Sequence, residues 1–135
     1  MLRKTRHDLL LIAADWQSRT LTLAELQEAG YEVMAVPGLR YGIKALIERL
    51  VMPPLILADT HADDDATPER VEGLLELVPN IPLILVISAY DRPIWEPLRP
   101  RLAALLHRPV TVGGIVSAVR RAWPRQDQGR ETGHE

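Results

Sequence analysis

The chain has 135 residues, enough for one domain with its own core and too few for a second of full size. A hydrophobic fraction of 47% with 25% charged residues is that of an ordinary globular protein, and a net charge of -2 with scattered basic residues excludes the cationic footprint of an autonomous nucleic-acid binder. Cysteine is absent, which excludes disulfides, thiolate zinc sites and cysteine nucleophiles, and no apolar run approaches the roughly 18 residues of a membrane span; a cytoplasmic protein with no membrane or direct nucleic-acid partner is expected.

Residues 1–7 read as an N-terminal extension. The first aliphatic run, Leu9-Leu10-Leu11-Ile12, is continuous rather than alternating, as a strand buried on both faces must be. A helix is expected over Ser18 to Ala29, although Leu21, Leu23 and Leu26 do not share one narrow face; Gly30 is its stop. Val33-Met34-Ala35-Val36 is the second run. Leu39, Ile43, Leu46, Ile47 and Leu50 then follow helical spacing and predict one buried stripe.

Leu55-Ile56-Leu57-Ala58 is the third run, and Thr67 with Pro68 marks the start of a helix whose stripe is Val71, Leu74, Leu75 and Val78. The fourth run is Leu83 to Ile87. Pro93, Pro97 and Pro100 recur through Asp91 to Arg101, so any helix there is short or irregular. A weaker fifth strand is expected over Leu102 to Leu106, ending at His107-Arg108-Pro109. Thr111 caps a last helix with Val112, Ile115, Val116, Val119 and Trp123 on one stripe, and residues 125–135, without an apolar side chain, read as a disordered tail.

Strands alternating with helices imply right-handed crossovers and a parallel sheet covered on both faces. In such sheets the working residues stand at the carboxyl ends of the strands. That places Asp59, Ser88 and Arg108 around one crevice: a carboxylate able to act as nucleophile, a hydroxyl to donate a hydrogen bond, and a guanidinium to clamp a phosphate. The plainer reading is that Asp59 and Ser88 cap the turns that follow them. An unpartnered Asp59 at a strand end is costly, so an ion pair with Arg108 is expected if the trio is structural.

Other candidates point to less. His61 with Asp59 and the run Asp63-Asp64-Asp65 has metal-ligand chemistry, yet a solvated acidic loop before the positive end of the next helix is the simpler expectation. Trp16, Tyr41, Tyr90 and Trp95 are read as covering the edge of a core. Gly113-Gly114 lacks the spacing and lysine of a phosphate loop, and no serine elbow, zinc-protease helix or dinucleotide fingerprint occurs, so a non-enzymatic protein without a cofactor is expected.

The phrases LLLIAAD, LQEAGYEV, PPLILADTHADD, IPLILVISAYD and LLHRPVTVGGIVSAVRRA, taken in order, resemble a response-regulator receiver domain over about residues 8 to 123. Glu28-Ala29-Gly30-Tyr31-Glu32-Val33 and Ser88-Ala89-Tyr90-Asp91 are especially typical. The resemblance implies an α/β flavodoxin-like domain over 8–124, with a parallel five-stranded sheet in the order 2-1-3-4-5, and a role in two-component phosphorelay signalling. It implies Asp59 as the phospho-acceptor position and Ser88 as the hydroxyl position. The acidic pair of the family falls on Ala13 and Ala14, its lysine on Arg108, and its switching aromatic on Leu105.

Alanine offers no ligand to magnesium, so metal binding is expected to be weak or absent, with Asp15, one position beyond the lost pair, the remaining weak candidate. The expected function is that of an atypical receiver working through protein partners, among them a histidine kinase or an output protein, with a homodimer compatible. A receiver still phosphorylated on Asp59 is the first alternative. A small ligand-binding or enzymatic protein on a flavodoxin-like fold is the second.

Overall fold

The computed structural model describes residues 7–123; the basic residues before His7, Pro124 and the tail over 125–135 lie outside them. Five parallel strands, β1 (Leu9–Ala13), β2 (Val33–Val36), β3 (Ile56–Asp59), β4 (Leu83–Ser88) and β5 (Ala104–Arg108), form one sheet in the order 2-1-3-4-5, as expected. Their aliphatic side chains are divided between two cores by the period of two. Leu10, Ile12, Ile56, Ala58, Leu83, Leu85, Ile87 and Leu105 lie on one face, and Leu9, Leu11, Leu55, Leu57, Ile84 and Val86 on the other.

The first face is covered by α2 (Leu39–Ile47), α3 (Pro68–Leu77) and α4 (Arg92–Trp95); the second by α1 (Trp16–Glu28) and α5 (Val112–Ala122). The caps of α3 and α5 follow the sequence. Thr67 Oγ1 accepts from the Arg70 N–H at 3.2 Å, and Thr111 Oγ1 from the Gly114 N–H at 2.9 Å. Gly42 lets α2 lie against β1, because a Cβ there would stand 2.5 Å from the Ile12 side chain.

Four expectations are corrected. α1 starts at Trp16 rather than Ser18, because Asp15 caps it. The stripe of α2 does not run through Ile47 and Leu50, which are 62% and 63% exposed; Leu39, Gly42, Ala45 and Leu46 form the buried face instead. The helix stops at Ile47 in a Schellman arrangement, with the Arg49 N–H on Leu46 O and the Leu50 N–H on Ala45 O, and Arg49 adopts φ 58°. That reversal carries Leu50 off the helix face. β5 begins at Ala104 rather than Leu102, since Leu102 still belongs to the preceding turn through its N–H to Arg99 O. The aromatic residues do not act together: Trp95 is a core residue at 2% exposure, whereas Trp16, Tyr41 and Tyr90 stand largely in solvent.

The proline-rich segment is irregular, as expected. α4 is one turn between two 3-10 turns, Ala89–Asp91 and Glu96–Arg101, with Pro100 inside the second. Its fixed point is apolar, since Trp95 and Leu98 enter the same cluster as Leu105. No helix among the described residues is long and apolar enough to cross a membrane.

Candidate functional site

The parallel register ends β1 and β3 together, and β4 and β5 together two residues further on, since Asp59 stands level with Val86. Ala13 stands opposite Asp59 on the β1–β3 ladder, and Ser88 opposite Arg108 on the β4–β5 ladder. The Asp59 side chain is 12% exposed and that of Arg108 28%, so both are largely withdrawn from water. Arg108 Nη2 donates to Asp59 Oδ1, forming the ion pair between β5 and β3. The same carboxylate oxygen accepts the His61 N–H at 3.0 Å, which turns the chain sharply after β3. Thr60 fastens that turn to β4: its N–H and its Oγ1 both donate to Val86 O at 3.0 Å.

Ser88 is engaged differently. Its Oγ accepts the Tyr90 N–H at 3.2 Å and caps the 3-10 turn after β4. Ser88, Ala89, Tyr90, Arg108, Pro109 and Val110 line an open groove beside the Asp59–Arg108 pair. Below it, an Arg92 Nη2 to His107 Nε2 contact of 2.7 Å links α4 to β5. Leu105, which the sequence resemblance sets at a switching position, is packed into the core at 8% exposure.

Ala13 and Ala14 close β1. Ala13 is 2% exposed, with a methyl group facing the core where the family pattern has a carboxylate. Asp15 is committed to α1: its Oδ2 accepts the Ser18 N–H at 2.8 Å, and that backbone donor, with lesser help from Ser18's side chain and from His61 and Arg108, holds its pKa below the ordinary carboxylate value. A residue that sequence reasoning missed completes this end. Arg19 Nη1 reaches back from α1 to Ala13 O at 2.8 Å and Ala14 O at 3.3 Å, so a guanidinium holds the loop after β1. The i, i+6 spacing is no recognisable signal, and only the turn geometry reveals it.

The acidic loop after β3 is more than a solvated run. Asp63 Oδ1 accepts the Asp65 N–H at 3.1 Å, and its Oδ2 accepts the Leu39 N–H at the start of α2. Asp65 lies 3.7 Å from Arg40, and no three acidic or histidine side chains converge among the described residues. The donor set at the strand ends does not fit magnesium. A hard cation in octahedral order needs several oxygen ligands, and here one carboxylate, Asp59, faces a guanidinium while Asp15 caps a helix.

No protein-family model matches the sequence, and no curated protein matches it either. Solved structures do match. A response-regulator receiver domain protein of Clostridium thermocellum superposes with a TM-score of 0.75 at 16% identity, over 89% of this chain and 96% of that one. The chemotaxis protein CheY4 of Vibrio cholerae gives 0.69 at 17% identity, over 87% and 99%. NtrX of Brucella abortus gives 0.76 at 15% identity over 96% of this chain, which spans 29% of that longer one. The fold is that of receiver domains.

Proposed function

We propose that this receiver-fold domain acts in signal transduction through protein partners, with phosphorylation of Asp59 lost or greatly weakened. Two-component signalling is the setting the fold suggests, and the reading is non-enzymatic. The observation that carries it is the pairing of Arg108 with Asp59 beside a β1 end that presents Ala13 and Ala14. A phosphoryl group arriving at Asp59 needs positive charge on its equatorial oxygens in the transition state, and a bound divalent ion would supply it. Arg108 supplies one delocalised charge, already engaged by the carboxylate that would have to attack.

The reading follows from magnitudes. Loss of a metal ion removes several kcal/mol of transition-state stabilisation. Each loss of about 1.4 kcal/mol slows the reaction tenfold. Phosphorylation therefore falls by orders of magnitude, and regulation has to come from differential affinity of a partner for conformations of the domain. The partners in this reading are a sensor kinase, an output protein or a second copy of the domain, acting in the cytoplasm.

The test is incubation with acetyl phosphate and magnesium, followed by intact mass before the acyl phosphate hydrolyses. No label, with partner binding unchanged in an Asp59→Asn variant, is the expected result. Stoichiometric label that vanishes in Asp59→Asn would overturn the reading and leave a working phospho-receiver.

A further inference from the structure

The groove beside the Asp59–Arg108 pair has a lining that the ion pair itself does not use. It opens to solvent between the turn after β4 and the end of β5, has a volume of about 530 Å³, and is lined by Ser88, Ala89, Tyr90, Arg108, Pro109 and Val110. That volume falls in the range of small-molecule sites, roughly 300–1,000 Å³. Much of the wall is hydrocarbon: the Ala89 methyl, the Pro109 ring, the Val110 side chain and the ring of Tyr90, a residue 95% exposed.

The polar side chains of the groove offer donors. Arg108 uses an N–H of Nη2 on Asp59, and its other N–H groups meet no acceptor among the described residues. No buried side-chain nitrogen there lacks a partner, so those groups are open to solvent where the guanidinium lines the groove. Ser88 Oγ accepts the Tyr90 N–H, and its own proton meets no acceptor among the described residues. Ser88 and Arg108 stand opposite each other on the β4–β5 ladder, which sets the two donor groups side by side.

The charge around the groove decides what carries the acceptor. Arg108 is balanced by Asp59, and Asp15 lies within its field. Asp91 follows on the exposed turn after Tyr90, with Arg92 beside it on His107. Two guanidiniums therefore meet three carboxylates, which disfavours an anionic ligand, and the free N–H and O–H donors disfavour a cationic one. A neutral carbonyl oxygen meets both conditions. The hydrocarbon wall and the open ring of Tyr90 suit a flat aromatic body, which stacks on that ring without needing a closed cavity.

We propose that the Ser88–Arg108 groove binds a neutral aromatic carbonyl compound, its carbonyl oxygen accepting from Arg108 and from the Ser88 hydroxyl while its ring lies on Tyr90, Pro109 and Val110. The Asp59–Arg108 pair stays intact, because the ligand takes N–H groups that the carboxylate does not use. This goes beyond the reading of a partner-binding domain and supplies it with an input. A ligand that fixes the turn after β4 favours one conformation of that turn, and it does so whether or not Asp59 accepts phosphate.

The experiment uses the full chain, 15N-labelled, with three probes of nearly the same shape. These are acetophenone, α-methylstyrene, in which a CH2 group replaces the carbonyl oxygen, and benzoate, which carries a charge. Amide shifts at about 1 mM probe, a concentration suited to ligands of this size, report where each binds and how well. The expected result is that acetophenone shifts Ser88, Ala89, Tyr90, Arg108 and Val110, with the other two probes about fivefold weaker, the loss of one hydrogen bond. Tyr90→Phe keeps binding, and Tyr90→Ala, at an exposed position that leaves the fold intact, weakens it about fivefold. Ser88→Ala weakens acetophenone and leaves α-methylstyrene unchanged, with thermal unfolding confirming that the variant is folded. No shift of these amides with acetophenone, or equal shifts with α-methylstyrene, would overturn the inference. So would stronger binding of benzoate, which would make the groove an anion site. Acetyl phosphate labelling of the same protein, read by intact mass, reports separately on phosphorylation, so either reading can fail alone.

Discussion

The carboxylate of Asp63 closes the start of α2 from 24 residues away, its Oδ2 accepting the Leu39 N–H at 2.8 Å. The position that ordinarily supplies such a cap holds Gly38, which has no side chain, adopts φ 150° and would bring a Cβ to 3.5 Å from that same oxygen. The loop after Asp59 and the second helix are therefore one mechanical unit. Asp63→Ala should cost about 1 kcal/mol of stability, the range of a lost N-cap, and Asp63→Asn less, because the amide oxygen still accepts. Urea unfolding of the two variants checks this; equal losses would show that charge, not the acceptor, matters.

The Asp59–Arg108 pair predicts an asymmetric mutational response. Arg108→Ala leaves a carboxylate with a 12% exposed side chain facing no cation, and should cost roughly 1–3 kcal/mol. Asp59→Asn removes the charge that needs compensation and should cost less. In a double-mutant cycle the combined variant should be more stable than the sum of the two losses implies. Strict additivity would mean the two side chains do not interact in solution.

Arg49 stands in the left-handed region at φ 58°, where a Cβ crowds the following carbonyl. Arg49→Gly relieves that contact at some cost in chain entropy, and a net gain of about 0.5–1 kcal/mol is expected. Thermal unfolding should rise by a few degrees.

Asp15 carries a pH dependence of known sign. Its folded pKa lies below the ordinary value of an aspartate, chiefly because the Ser18 N–H donates to the ionised carboxylate. The group thus contributes stability above its unfolded pKa, and that contribution is lost as pH falls through the lower, folded value. An Asp15→Asn variant should lose part of the acid-side slope of stability against pH, being less stable than the parent at neutral pH and converging with it toward acid. An unchanged slope would show that the cap does not titrate with folding.

Much of this architecture is readable from side-chain pattern. The continuous runs at Leu9 and Leu83 can only be two-sided strands, and Thr67 and Thr111 announce the helices that they cap. What escapes is whatever depends on backbone reversal or on distant partners. A left-handed arginine at 49 cannot be told from a helical one, so the stripe of α2 is overextended. The Asp63 to Leu39 bond joins segments 24 residues apart, and Arg19 reaches a carbonyl whose position only the folded turn defines. The positions 59, 88 and 108 could be placed at one end of the sheet because parallel strands all end on the same side, whereas the burial of Trp95 depended on how a proline-broken segment folds back.

Building a metal site here is not a single step. An aspartate at position 13 would enter a 2% exposed position directly opposite Asp59, adding a second buried negative charge before any ion offsets it. A lysine at position 108 alone would exchange the planar guanidinium for an ammonium while the site still lacked ligands. Either substitution alone leaves the strand ends with a buried charge or without ligands, so the Asp59–Arg108 pair resists piecemeal replacement and several positions have to change together.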